Sequence, residues 1–209
     1  MSKYGYNREQ RSFPARFQVQ NGKFTRYTGR DTEPETLDVL QGKLVEIKLR
    51  KVDAESHSTM FCDAIFEVSD GDRFAISTIA SSSITADIIG RLANVKDYKH
   101  VLVIFTWMNG QYSNIAMREK ENWDSSDGEK IPFTKFPPVK RVKVGFNEQM
   151  DSTERDQEVS RLIDEINGKL KAAGILVQDN QPAGSGPAPA PDCGDMPEGD
   201  GYVPSNDIY

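Results

Sequence analysis

Histidine and cysteine are nearly missing from this chain, two of each in 209 residues. That leaves little material for acid–base or metal chemistry. His57 sits in the polar stretch Glu55-Ser56-His57-Ser58 and His100 opens an apolar run, a surface and an edge position rather than a convergent pair. Cys62 lies in an apolar run and Cys193 in a Pro/Gly-rich one, so neither a disulfide framework nor a zinc-ligand spacing is present. No stretch approaches the roughly 20 apolar residues of a spanning helix, and residues 1–10 are polar and aromatic where a signal peptide would be apolar. Phosphate-cradling Gly-rich loops and the Gly-x-Ser-x-Gly elbow are absent as well. Ser81-Ser82-Ser83 reads as helix-capping sequence. Asp70 and Asp72 flank a turn glycine, where Asp is expected without any Mg²⁺ to hold. The expectation is a soluble, non-enzymatic protein of a reducing cytoplasm, without a cofactor and without a membrane partner.

What the chain does have is charge sorted along its length. Residues 1–30 carry Lys3, Arg8, Arg11, Arg16, Lys23, Arg26 and Arg30 against Glu9 alone, a charge of +6. Residues 179–209 contain no Lys or Arg and six Asp or Glu, a charge of −6 that equals the net charge of the whole chain. The acidic pI near 5.1 therefore hides a basic arm able to meet an anionic polymer.

Periodicity divides the chain into 1–36, a basic aromatic arm with a hairpin across Asn21-Gly22; 37–148, a β-rich domain; 149–178, an amphipathic helix; and 179–209, a disordered acidic tail rich in Pro and Gly. In the second region Val45, Ile47 and Leu49 alternate with Glu46, Lys48 and Arg50, a half-buried strand. Residues 60–68 and 73–79 read as a hairpin across Asp70-Gly71. Ile84, Ile88, Ile89 and Leu92 suit one helix, and the β-branched run 101–108 is joined by Asn109-Gly110 to 112–117. Three strands, a helix and two strands match a five-stranded oligonucleotide/oligosaccharide-binding (OB) barrel with its helix between strands 3 and 4, giving a mainly β, α+β fold. Asp151 to Glu154 resembles a capping box, and Val159, Leu162, Ile163, Ile166 and Leu170 form a stripe ended by Gly174. That stripe either covers the barrel or forms the seam of a homo-oligomer.

A single-strand binder needs cations for phosphates and exposed rings on which bases stack. Lys48, Arg50 and Arg73 are the candidate phosphate contacts, and Phe61, Trp107, Tyr112 and Trp123 the candidate stacking platforms. Phe74 reads as core, while Trp107 falls in phase with Val101, Val103 and Phe105. Arg26 and Tyr27 would extend the groove by phosphate contact and cation–π stacking. Lys140, Arg141 and Lys143 read as a solvated strand edge.

With its barrel order, its Pro/Gly-rich acidic linker and its terminal peptide 203–209, the chain resembles the bacterial and bacteriophage single-stranded DNA-binding proteins. The resemblance implies sequence-independent binding of single-stranded DNA in replication, recombination and repair. It also implies a docking peptide, Asp207, Ile208 and Tyr209, that recruits replication or repair proteins, with Asp195, Glu198 and Asp200 supplying steering charge. The chain departs from the bacterial form in ending on Tyr209 rather than Pro-Phe, and in its arm and second helix, features that favour a phage-type variant. The competing expectation is a structural or scaffolding protein, such as a virion component, that binds no nucleic acid.

Overall fold

The computed structural model describes residues 14–28, 32–53, 58–126, 128–144 and 147–176. All of them belong to the compact unit Met1–Val177; the second unit, Gln178–Tyr209, lies outside the described residues, and so do the expected docking residues Asp207, Ile208 and Tyr209.

Local turn chemistry sets three of the strand pairs. Strands β1 (Ala15–Gln20) and β2 (Lys23–Arg26) meet across Asn21-Gly22. Both turn residues have positive φ, 49° and 67°, the conformation that a two-residue type I′ turn demands and that Asn and Gly tolerate best. β3 (Glu35–Leu37) adds to β2, and the 15-residue β4 (Val39–Asp53) follows. β5 (Ser58–Glu67) and β6 (Arg73–Ile79) form the hairpin around Asp70-Gly71. Helix α1 (Ser83–Leu92) starts where the Ser82 hydroxyl accepts the Thr85 N–H at 3.2 Å. β7 (Val101–Asn109) and β8 (Tyr112–Lys120) are joined by Gly110-Gln111, one residue later than the Asn-Gly signal suggests, since Asn109 and Tyr112 are themselves paired. After the short β9 (Glu129–Lys130), β10 (Lys140–Val144) and β11 (Asn147–Asp151) form a separate two-stranded sheet ahead of α2 (Thr153–Ala172).

The order strand, strand, strand, helix, strand, strand is present in β4, β5, β6, α1, β7 and β8, but the expected five-stranded barrel is not. Nine strands form one open mixed sheet in the order β3-β2-β1-β6-β5-β4-β7-β8-β9. Closure would require the outer edges of β6 and β8 to be available to each other. Instead β1 lies parallel on β6, Arg16 opposite Ala75, and β9 lies on β8. The segment read as a basic arm thus supplies three strands of the main sheet. Its Phe17 and Phe24 are fully buried, and burial of two aromatic side chains outweighs leaving it free.

One sheet face carries the core. Phe74 stacks on Phe66 at 5.1 Å and meets Phe17 in a T-shaped pair at 6.2 Å, among Leu44, Ile47, Ile76, Leu102, Ile104 and Ile115. α2 covers this core with the expected stripe, Val159, Leu162, Ile163, Ile166 and Leu170 all buried, so the stripe is spent within the chain. Its start differs from a capping box. Ser152 occupies the N-cap without a side-chain bond to the backbone, Asp151 accepts the Thr153 N–H, and Glu154 pairs with Lys140. Asn167 fixes α2 to the sheet: its amide donates to the Ile47 carbonyl at 2.8 Å and accepts the Ile47 N–H at 3.0 Å. β7 pairs with β4 only from Val39 to Gly42, so this side chain stands in for the missing strand.

Candidate nucleic-acid interface

The sheet face opposite the core gathers most of the residues singled out in the sequence. Its composition follows from a register shift in β4. Lys43 pairs with Glu67 and Leu44 with Phe66, after which Glu46 pairs with Ile65, leaving Val45 as the extra residue of a bulge. Before the bulge the odd residues Val39, Gln41 and Lys43 share the outer face; after it Glu46, Lys48 and Arg50 do. Leu49, expected in the core, lies on the same side of β4 as Ile47 and opposite Cys62, yet is exposed.

On β4, β5, β6 and β1 this face is organised around Asp63, a buried carboxylate whose cross-strand neighbours are Lys48 and Ser77. Asp63 accepts Ser77 Oγ at 2.5 Å, Arg50 Nε at 3.0 Å and Arg16 Nε at 3.3 Å. Burial pushes its pKa up, but the hydrogen bonds from Arg50, Ser77 and Arg16 and the charge of Arg50 outweigh burial and hold it below the usual carboxylate range. The Arg50 guanidinium also lies over the half-buried Phe61 ring, 5.2 Å from its centroid. Lys48 is paired with Glu46 at 2.8 Å. Cys62 faces the other way, and burial, reinforced by the charge of Asp63, pushes its thiol up to about 12, too high for a nucleophile.

On β4, β7, β8 and β9 the same face is cationic and aromatic. Cross-strand pairing sets Trp107 opposite Asn114, Phe105 opposite Ala116, Val103 opposite Arg118 and Val101 opposite Lys120, with Lys130 on β9 beside Arg118. Trp107 is 46% exposed and Tyr112, at the hairpin tip, 77%. Among the described residues Lys43, Arg118 and Lys130 make no ion pair, and the nearest carboxylates on this face, Glu46 and Glu67, are engaged by Lys48 and Arg73. Lys120 donates to the Trp123 carbonyl at 3.4 Å, which holds the backbone of the half-buried Trp123 close to the end of β8. Glu67, across β5 from Lys43, is engaged by Arg73.

Three expected contacts sit differently. Arg26 is buried and paired with Glu35 at 3.4 Å, so its guanidinium is spent in joining β2 to β3. Tyr27 is exposed, its hydroxyl donating to Gln20 Oε1. Arg73 is exposed but lies at the Asp70-Gly71 end of its hairpin, paired with Glu67 at 3.4 Å and away from Arg50.

Sequence reading missed Arg16, Lys43, Arg118, Lys120 and Lys130. For Arg118 and Lys120 the signal was there: a two-residue turn pairing Asn109 with Tyr112 fixes the register of the whole hairpin and places both on the face of Trp107. For Arg16 and Lys130 no local signal exists, because their neighbours are set by non-sequential pairing. Of the potential metal ligands, Asp70 accepts the Asp72 N–H within its turn, and His100 Nδ1 bonds Glu119 at 2.7 Å. Among the described residues no group of three or more His, Cys, Asp or Glu is arranged to hold a metal ion, and no helix is long and apolar enough to cross a membrane. Comparison of the chain with protein-family models, with curated proteins and with solved structures gave no match.

Proposed function

We propose that this protein binds single-stranded DNA without sequence preference and catalyses no reaction, serving replication, recombination or repair. The observation that carries the reading is the outer face of β4, β7, β8 and β9, where exposed Trp107 and Tyr112 share one face with Lys43, Arg118 and Lys130, which make no ion pair among the described residues. Phosphates need such cations, and an exposed ring gains a base only from a strand whose bases are unstacked, which favours single strands over duplex. At about 3.3 Å per residue the nine residues of β8 offer a track of roughly 30 Å. On the same reading the acidic segment 179–209 recruits partner proteins through Asp207, Ile208 and Tyr209.

The test is fluorescence anisotropy of labelled oligo-dT and of a duplex of equal length, with wild type, Trp107→Ala and Arg118→Glu. Loss of one stacked base costs about 1–3 kcal/mol, roughly 5- to 150-fold in affinity. Preference for oligo-dT, a loss of that size for Trp107→Ala and a shallower salt dependence for Arg118→Glu support the proposal. Equal binding of duplex, or variants indistinguishable from wild type, would refute it.

A further inference from the structure

The Asp63 cluster is more elaborate than neutralisation of one buried carboxylate requires. A single arginine would balance Asp63, yet two converge on it from strands far apart in sequence, Arg16 on β1 and Arg50 on β4, leaving a net positive charge on an outer sheet face. Both side chains are 36% exposed while that of Asp63 is 4% exposed, so the carboxylate is the floor and the guanidinia are the rim. Each arginine is anchored by Nε. Arg50 spends one terminal nitrogen on Ser77 Oγ at 3.4 Å, whereas neither terminal nitrogen of Arg16 has a partner among the described residues, nor does the other of Arg50. Phe61 beneath Arg50 and Ser77 beside Asp63 further restrict the rotamers. Anchored, partly exposed guanidinia with unengaged terminal N–H groups match the several acceptor oxygens of one phosphate group, and little side-chain entropy remains to be lost on binding.

We propose that Asp63 positions Arg16 and Arg50 as a clamp for a single phosphate group, which in the bound strand is one backbone phosphodiester. The second half rests on the single-strand reading above; the clamp itself does not. Asp63 is a positioning residue here, and its removal has a counter-intuitive consequence. Deleting a negative charge from a surface that binds anions should tighten binding by simple electrostatics, whereas loss of the clamp weakens it.

The test has two arms on the full chain. In the first, the Nε–Hε resonances of the arginines are followed by NMR during titration with inorganic phosphate. The clamp predicts saturable shifts of Arg16 and Arg50 with one common midpoint, no shift of Arg73, and loss of the response at the remaining arginine in Arg16→Ala or Arg50→Ala. In the second, oligo-dT affinity is measured against salt. Each single variant and the double variant should lose the same slope, about 0.7, because one phosphate is lost in all three; two independent phosphates would give about 1.4 for the double. Asp63→Asn should weaken binding, read only where circular dichroism shows the variant folded, with Arg16→Ala as the measure that does not depend on it. No phosphate response at Arg16 and Arg50, or slope losses that add, overturns the clamp while leaving strand binding intact. A phosphate response without oligo-dT binding keeps the clamp and overturns the strand-binding function.

Discussion

Replacing Asn167 by alanine removes the side chain that completes β4 at Ile47. Two hydrogen bonds are lost, at 2.8 and 3.0 Å, each contributing about 1 kcal/mol net. The Ile47 N–H and C=O point away from β5 on a stretch that β7 no longer covers, and Ile47 itself is buried, so water replaces the amide only in part. The neighbours Ile163, Ile166 and Leu170 keep their apolar packing, which limits the damage to this polar pair. The expected loss is roughly 2–3 kcal/mol, the two bonds plus incomplete resolvation. For a unit of this size that is a fall in Tm of about 5–10 °C. Urea unfolding followed by circular dichroism measures the loss, and hydrogen exchange locates it: the Ile47 amide should exchange faster relative to those of Leu44 and Phe66. A loss below about 0.5 kcal/mol with unchanged Ile47 protection would refute the claim that α2 substitutes for a strand.

The aromatic stack and the turn against β7 offer further tests, as does the buried carboxylate. Phe74→Ala leaves a cavity beneath Phe66 and Phe17 and should cost about 3–5 kcal/mol by urea unfolding, where a loss under 1 would contradict the stack as the core's centre. Gly22→Ala places a Cβ 2.5 Å from Met108 N and 2.6 Å from the Trp107 carbonyl carbon, at φ +67°, and should lower Tm and shift the Trp107 emission together; an unchanged spectrum would mean that the β1–β2 turn is not seated on β7. Asp63 has a folded pKa below its ordinary value, so its contribution is complete above about pH 4 and is lost as pH falls through the lower folded value. Urea midpoints from pH 7 to 2.5 should therefore show a steeper acid limb for wild type than for Asp63→Asn; parallel limbs would contradict the network.

Local chemistry was legible and distant pairing was not. Asn21-Gly22, Asp70-Gly71 and Asn109-Gly110 gave three hairpins, Ser81-Ser82-Ser83 gave the start of α1, and the Val159–Leu170 stripe gave α2, since each signal lies within a few residues of what it determines. The parallel pairing of β1 on β6 joins residues some sixty positions apart, Arg16 with Ala75, and no periodicity announces it. A five-stranded barrel was the reading that ignored this strand. The bulge at Val45 has the same character: it changes which side of β4 faces out without changing hydrophobic alternation enough to be read. On the candidate face, the exposure of Trp107 and Tyr112 follows from their place beside the turn, and the contact of Phe61 with Arg50 from strand phase. Arg26 looked like a free cation because Glu35, its partner, sits on a strand too short to recognise.

The central claim is that a cationic, aromatic sheet face takes up single-stranded DNA, and Trp107, exposed within the strip, reports on it. Titration of tryptophan fluorescence with oligo-dT, at two salt concentrations, tests it most directly. The account predicts quenching whose midpoint moves to higher oligonucleotide concentration as salt rises, with a slope of about −0.7 for each phosphate engaged. A flat titration at both salts would contradict it and leave the face as a surface for protein assembly.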